Sequence, residues 1–164
     1  MMRCSLILAL AFLLRLPLAA QYSVPLRAEE TAPVIALPDI HGHIRTLAST
    51  MGHVTLVYFW TPGCSYCVKE NRDLAYCYRK FHKQGFEMYA VCLDQSMTAW
   101  RSDISRSELR YTQVIDTTGA AGHTAMAYRV TSLPFNYLID QYGHILEVNI
   151  PSGDLYSILD IIYE

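Results

Sequence analysis

The sequence predicts an α/β fold in which helices sandwich a mixed central β-sheet, and three observations carry the prediction. Two apolar runs, 53–60 and 86–93, are almost unbroken, as expected of central parallel strands covered on both faces. Stretches with helical spacing alternate with these and later strands. The last two strand-like runs flank Asp140-Gln141-Tyr142-Gly143, a hairpin-like turn that adds an antiparallel pair.

The chain of 164 residues, 52% of them hydrophobic, has the length and apolar content for one cored domain. Its first twenty residues read differently. Arg3 precedes an apolar run from Leu6 to Leu14, and small residues end the stretch at Ala19-Ala20, the layout of a secretory signal. Arg15 interrupts the run well short of the roughly 20 residues that a membrane span needs. We therefore expect residues 1–20 to be a signal peptide cleaved near Ala20, with an uncleaved membrane anchor as the alternative. Cys4 leaves with the signal. Loss of Arg3 and Arg15 leaves 11 basic against 15 acidic residues, a net charge of −4. With no basic block, nucleic acid is a poor partner.

Residues 21–32 read as a linker, given Pro25, and 33–164 as the domain, with Pro33 and Pro38 in its edge segment. Asp39 to Ile44 resembles a tight turn between short strands, with Gly42 supplying the turn. His53 to Trp60 is the first buried strand. Cys67, Asn71, Leu74, Tyr78 and Phe81 then fall on one helix face, and Gly85 stops that helix. Phe86 to Leu93 is a strand and Met97 to Leu109 a helix. Thr112 to Ile115 and His123 to Tyr128 come next as a short strand and a short helix. Strands at Phe135–Ile139 and Ile145–Ile150 precede a closing helix, Leu155–Tyr163, whose Leu155, Ile158, Leu159 and Ile162 share a face.

Trp60-Thr61-Pro62-Gly63-Cys64-Ser65-Tyr66-Cys67 joins the end of a buried strand to the start of a helix. The exposed N–H groups and the dipole at a helix N-terminus stabilise an anion. A thiolate is such an anion, so Cys64 there acquires a depressed pKa and serves as nucleophile. Cys67, one turn inward, is placed to resolve a mixed disulfide. A structural bridge or half of a metal site is the alternative for an isolated Cys-x-x-Cys. Pro134 stands immediately before a strand, where proline is tolerated and a cis bond is accessible. A turn of that kind leaves flanking backbone free to bond a peptide beside the cysteines; an ordinary trans proline is the alternative.

Taken together, several segments give a family resemblance: Tyr58-Phe59-Trp60, the Cys64–Cys67 pair with Glu70 behind it, Val91-Cys92-Leu93-Asp94, Tyr128-Arg129-Val130, Leu133-Pro134, Leu138-Ile139-Asp140 and Gly143. The chain resembles the TlpA/ResA-like exported thiol–disulfide oxidoreductases of the redoxin (AhpC/TSA-like) thioredoxin superfamily. That resemblance implies a thioredoxin fold, redox-active Cys64 and Cys67, and a cis Pro134. The implied partners are protein thiols or disulfides outside the cytoplasm, in a periplasm-like compartment, with a redox donor or acceptor that resets the pair. Neither a cofactor nor a metal is expected. The chain departs from the family at Gly63, often tryptophan, at Ser65-Tyr66, commonly a proline-containing dipeptide, and at Arg72, often a kinking proline. Tyr58 stands where cytoplasmic thioredoxins carry a buried acid.

Other residues carry weaker expectations. Glu70 reads as an exposed acid in the first helical turn, with proton transfer to Cys67 as the alternative. Asp94 is either a polar neighbour of the site or a cap for the segment after it. Cys77 and Cys92 read as buried thiols, against a second redox pair. His41 and His43 lack metal-ligand spacing. Two rival functions use the same residues. Thr61-Pro62-Gly63-Cys64 echoes the peroxiredoxin Thr-x-x-Cys, although Val57 stands where that family has a proline and Leu133-Pro134 lies where its arginine is expected. A binding module with a static Cys64–Cys67 bridge is the second rival.

Overall fold

The computed structural model describes residues 24–107 and 109–164; the expected signal and Cys4 lie outside the described residues. A two-stranded hairpin of β1 (Ala36–Pro38) and β2 (Ile44–Thr46) leads into a four-residue helix α1 (Leu47–Thr50). β3 (Val54–Trp60), α2 (Ser65–Phe81), β4 (Phe86–Cys92), α3 (Met97–Ser107) and β5 (Thr112–Ile115) come next. The chain closes with α4 (His123–Ala127), β6 (Phe135–Asp140), β7 (Ile145–Val148) and α5 (Ser152–Tyr163). Among the described residues no helix is long and apolar enough to cross a membrane.

Five strands form one sheet in the order β5-β4-β3-β6-β7. β3, β4 and β5 run parallel, whereas β6 is antiparallel to β3 and β7 antiparallel to β6. All seven residues of β3 are buried, as its almost unbroken apolar run requires. Its side chains alternate between two cores, following the two-residue period of a strand. Leu56, Tyr58 and Trp60 face α2, α3 and α5, while Val57 and Phe59 face Leu47, Ala125 and Tyr128 on the other side. α2 buries Cys67, Asn71, Leu74 and Phe81 against the first core. A 3-10 turn at His82–Gln84 carries the chain to Gly85, whose φ of 105° closes the segment in the left-handed region.

Three local expectations change. The stretch read as a linker is docked. Leu26 is buried, Glu29 N–H donates to Ile145 O at 2.8 Å, Ile145 N–H to Glu30 O at 2.9 Å, and Ala32 N–H to Gly143 O at 2.8 Å. Gly143, in the turn, and Ile145, at the start of β7, turn backbone groups outward and find partners for them in this segment. The packed unit therefore begins by Leu26, not at residue 33. α1 has no sequence signal, because four residues are too few to show a period; Thr46 caps it by accepting from Ser49 N–H at 3.1 Å. The last strand stops at Val148, since Asn149 turns to φ 54°. Ile150 is instead held by Asn136, whose amide donates to Ile150 O at 2.8 Å and accepts from Ile150 N–H at 2.9 Å.

Candidate active site

The site grows from the end of β3. Leu93 N–H donates to Trp60 O at 2.9 Å, the last backbone bond between β3 and β4. Thr61-Pro62-Gly63 then turns the chain into α2. Gly63 has φ 76°, a conformation that costs a side-chain-bearing residue. Cys64 is the N-cap of α2, and its Sγ accepts from Cys67 N–H at 3.1 Å. Cysteine here holds the place that serine or aspartate usually takes, aiming sulfur at the free N–H groups of the first turn. Cys64 and Cys67 are joined by a disulfide with Cα atoms 5.2 Å apart. Cys64 is half-buried and Cys67 fully buried, so an approaching molecule meets Cys64 first. Tyr66, between them, is 75% exposed.

Pro134 comes to the same corner through the sheet. β6 pairs with β3 so that Phe135 lies opposite Phe59, which puts Pro134 beside the end of β3. The Leu133–Pro134 bond is cis. Leu133 and Cys64 both border the core beneath α2. Cys64 and Cys67, and Pro134 about 70 positions later, are thus gathered at one end of the inner strands β3 and β6.

Glu70 departs from its sequence reading. It lies beyond the first turn of α2, half-buried, and its Oε2 is buried with no hydrogen-bond partner. Burial raises its pKa and the nearby Asp73 carboxylate adds to this; the Ser152 backbone N–H and Lys69 oppose the rise. Tyr58 lies beneath, its hydroxyl also buried without a partner, and burial followed by the charge of Glu70 raises its pKa. Sequence reasoning placed Glu70 on the surface because its cover comes from the start of α5, some eighty residues later.

Asp94 has both of the roles weighed for it. Its Oδ1 accepts from Ser96 N–H at 2.7 Å, leading into α3, and its Oδ2 accepts from the Thr61 hydroxyl at 2.8 Å. Cys77 and Cys92 are free, buried thiols. Burial, with Asp73 adding, pushes the Cys77 thiol up to about 11; burial raises Cys92 further, with Asp94 and Asp103 adding. His41 and His43 are exposed in the turn after β1, with rings 6.1 Å apart.

A Cys-x-x-Cys bridge at a strand-to-helix corner, beside a cis-proline on this mixed sheet, defines a thioredoxin-fold protein. Residues 28–148 match the model of the AhpC/TSA family, and the chain belongs to that family. It is 30% identical over 118 residues to the thiol-disulfide oxidoreductase ResA of Geobacillus kaustophilus, covering 72% of this chain and 66% of that protein. It is also 30% identical over 117 residues to ResA of Bacillus subtilis, with 71% and 64% covered. The matched stretch is thus just under two thirds of each curated relative. Among solved structures it superposes on the thioredoxin domain of a thiol-disulfide oxidoreductase from Bacteroides vulgatus with a TM-score of 0.79. That match is at 28% identity over 85% of this chain and 99% of that one. A thiol-disulfide oxidoreductase from Bacteroides fragilis gives 0.75 at 29% identity, covering 81% and 99%.

Proposed function

We propose that the protein is a thiol–disulfide oxidoreductase that exchanges disulfides with exported protein substrates through Cys64-Ser65-Tyr66-Cys67. The observation that carries this reading is the position of Cys64 Sγ, capping α2 on Cys67 N–H and bridged to Cys67. Once the bridge is reduced, the helix N-terminus favours the Cys64 thiolate. That thiolate attacks one sulfur of a substrate disulfide and expels a substrate thiolate. Cys67 sulfur, having lost its proton, then attacks Cys64 in the mixed disulfide and expels the second. Two electrons pass to the substrate, its two sulfurs take up protons, and the Cys64–Cys67 bond is restored. Oxidation of a substrate dithiol runs the same steps backward.

Pro134 is proposed to present its flanking backbone to the substrate peptide beside Cys64. Glu70, one turn beyond Cys67, is proposed to exchange the proton of Cys67, a task suited to a carboxyl whose pKa burial has raised. The signal-like layout of residues 1–20 supports action outside the cytoplasm, on partner proteins there and with a redox donor or acceptor that resets the pair. Peroxidase chemistry through Cys64 is disfavoured by Thr61, whose hydroxyl is turned to Asp94.

The test is exchange with a small disulfide-bonded protein. Wild type should turn over, Cys64→Ser should be inactive, and Cys67→Ser should accumulate mixed disulfides visible by intact mass. Full exchange by Cys64→Ser would overturn the assignment.

A further inference from the structure

The loop that delivers Cys64 has one polar side-chain anchor to the neighbouring strand. Thr61 is the first residue beyond β3, and its hydroxyl donates to Asp94 Oδ2 at 2.8 Å. Asp94 lies two residues past the end of β4, so the bond spans the ends of two adjacent parallel strands. Asp94 is itself held, because its Oδ1 accepts Ser96 N–H at 2.7 Å, while Ser96 Oγ accepts Ala99 N–H at 3.2 Å at the start of α3. The corner is therefore tied to a helix terminus through a carboxylate with both oxygens engaged.

Only Pro62 and Gly63 separate this anchor from Cys64. Pro62 has a ring-restricted φ, and Gly63 is committed to φ 76°. Little slack remains between the Thr61 side chain and the sulfur. The sulfur's task is geometric, namely to sit over Cys67 N–H at 3.1 Å. A thiolate gains more from such a bond than a thiol does, because the acceptor is charged. Movement of the corner by a few tenths of an ångström therefore changes the balance between the two states.

We propose that Thr61 and Asp94 are positioning residues for Cys64: their hydrogen bond holds the Thr61-Pro62-Gly63 corner so that Cys64 Sγ stays on the Cys67 N–H. The inference rests on the exchange reading above and extends it to two residues that touch no substrate. The hydroxyl that echoes a peroxidase motif is here part of the scaffold.

The test separates geometry from charge. In the fully reduced protein, the pH dependence of Cys64 alkylation is followed by mass spectrometry for wild type, Thr61→Val, Thr61→Ser, Asp94→Ala and Asp94→Asn. Positioning requires Thr61→Val and Asp94→Ala to raise the alkylation midpoint by about half a pH unit or more. Thr61→Ser restores the hydroxyl, and Asp94→Asn retains one acceptor and a donor for Thr61, so both should stay near wild type. Each variant's bridge potential, equilibrated against glutathione, should move in step with its midpoint. Two results would overturn the proposal: a Thr61→Val midpoint equal to wild type, or an Asp94→Asn midpoint lowered while Thr61→Val is unchanged, which would make Asp94 a through-space charge. Far-UV circular dichroism checks that each variant is folded. The alkylation readout needs no substrate, so loss of the exchange reading through Cys64→Ser would be seen separately.

Discussion

Four cysteines fall among the described residues, and burial sorts them into different chemistries. Cys64 is half-open at a helix N-terminus and Cys67 is closed beneath it, while Cys77 on the buried face of α2 and Cys92 at the end of β4 are sealed in the core. The ordinary thiol reactivity that comes with ionisation is therefore denied to the last two, whose pKa values burial raises. Iodoacetamide added at pH 8 to reduced, native protein should label Cys64 quickly and leave Cys77 and Cys92 unlabelled until denaturant is added. Peptide mapping would check this, and rapid native labelling of Cys92 would contradict its place in the core. At this scale the cysteine pair was legible because its chemistry is local: two sulfurs, three residues apart, at a strand-to-helix junction. Glu70 and the Thr61–Asp94 bond were not legible. A residue's burial and its partner's position depend on chain that arrives 33 or about 80 residues later.

The elements read well where a repeating pattern ran long enough. β3, β4 and α2 match their apolar runs and helical period because each buries a continuous face. Of the short elements, α1 escaped, because it is set by the Thr46 cap and not by a hydrophobic period. The β1–β2 hairpin was legible through its turn residues, and Asp39 organises that turn with its side chain. Asp39 Oδ1 accepts His41 N–H at 2.9 Å and His43 N–H at 3.0 Å, and Oδ2 accepts Arg45 Nε at 2.9 Å. Burial works against its charge, but Arg45 and the two backbone amides outweigh burial and hold the carboxyl at about 2, below the usual 3.8. A carboxyl depressed in the folded state stabilises it above the unfolded pKa and loses that contribution as pH falls through the folded value. Asp39→Ala should therefore lower the melting temperature at pH 5–7. The gap from wild type should narrow between about pH 4 and pH 2. Thermal denaturation across that range measures it, and a gap independent of pH would remove the charge from the explanation.

Across the whole molecule, the long-range ties begin before the first strand. Tyr137 Oη accepts Leu26 N–H at 3.3 Å and donates to Tyr128 O at 2.6 Å, while Tyr128 Oη donates to Pro33 O at 2.6 Å. Together with the pairing of residues 29–32 to residues 143–145, these bonds make the approach segment part of the packed unit. Its proline content argued for a linker because proline signals loops locally, whereas the edge that receives it is made by residues 143–145. A chain beginning at residue 34 should lose about 2–4 kcal/mol of unfolding free energy, after the ordering entropy is offset against lost burial and hydrogen bonds. Urea denaturation would measure this. The same truncation should give concentration-dependent association by light scattering, because residues 143–145 at the start of the outer strand lose their backbone partners.

On the far side of the sheet, Asp39 bridges to Val114 of β5, so both margins of the sheet are hemmed by amino-terminal chain. The hem on β7 cannot be sewn until residues 143–145 exist, more than a hundred positions after residues 29–32. A contact across so long a stretch of chain pays its loop-closure entropy before it is rewarded, so this protective seam is expected to close late as the protein folds.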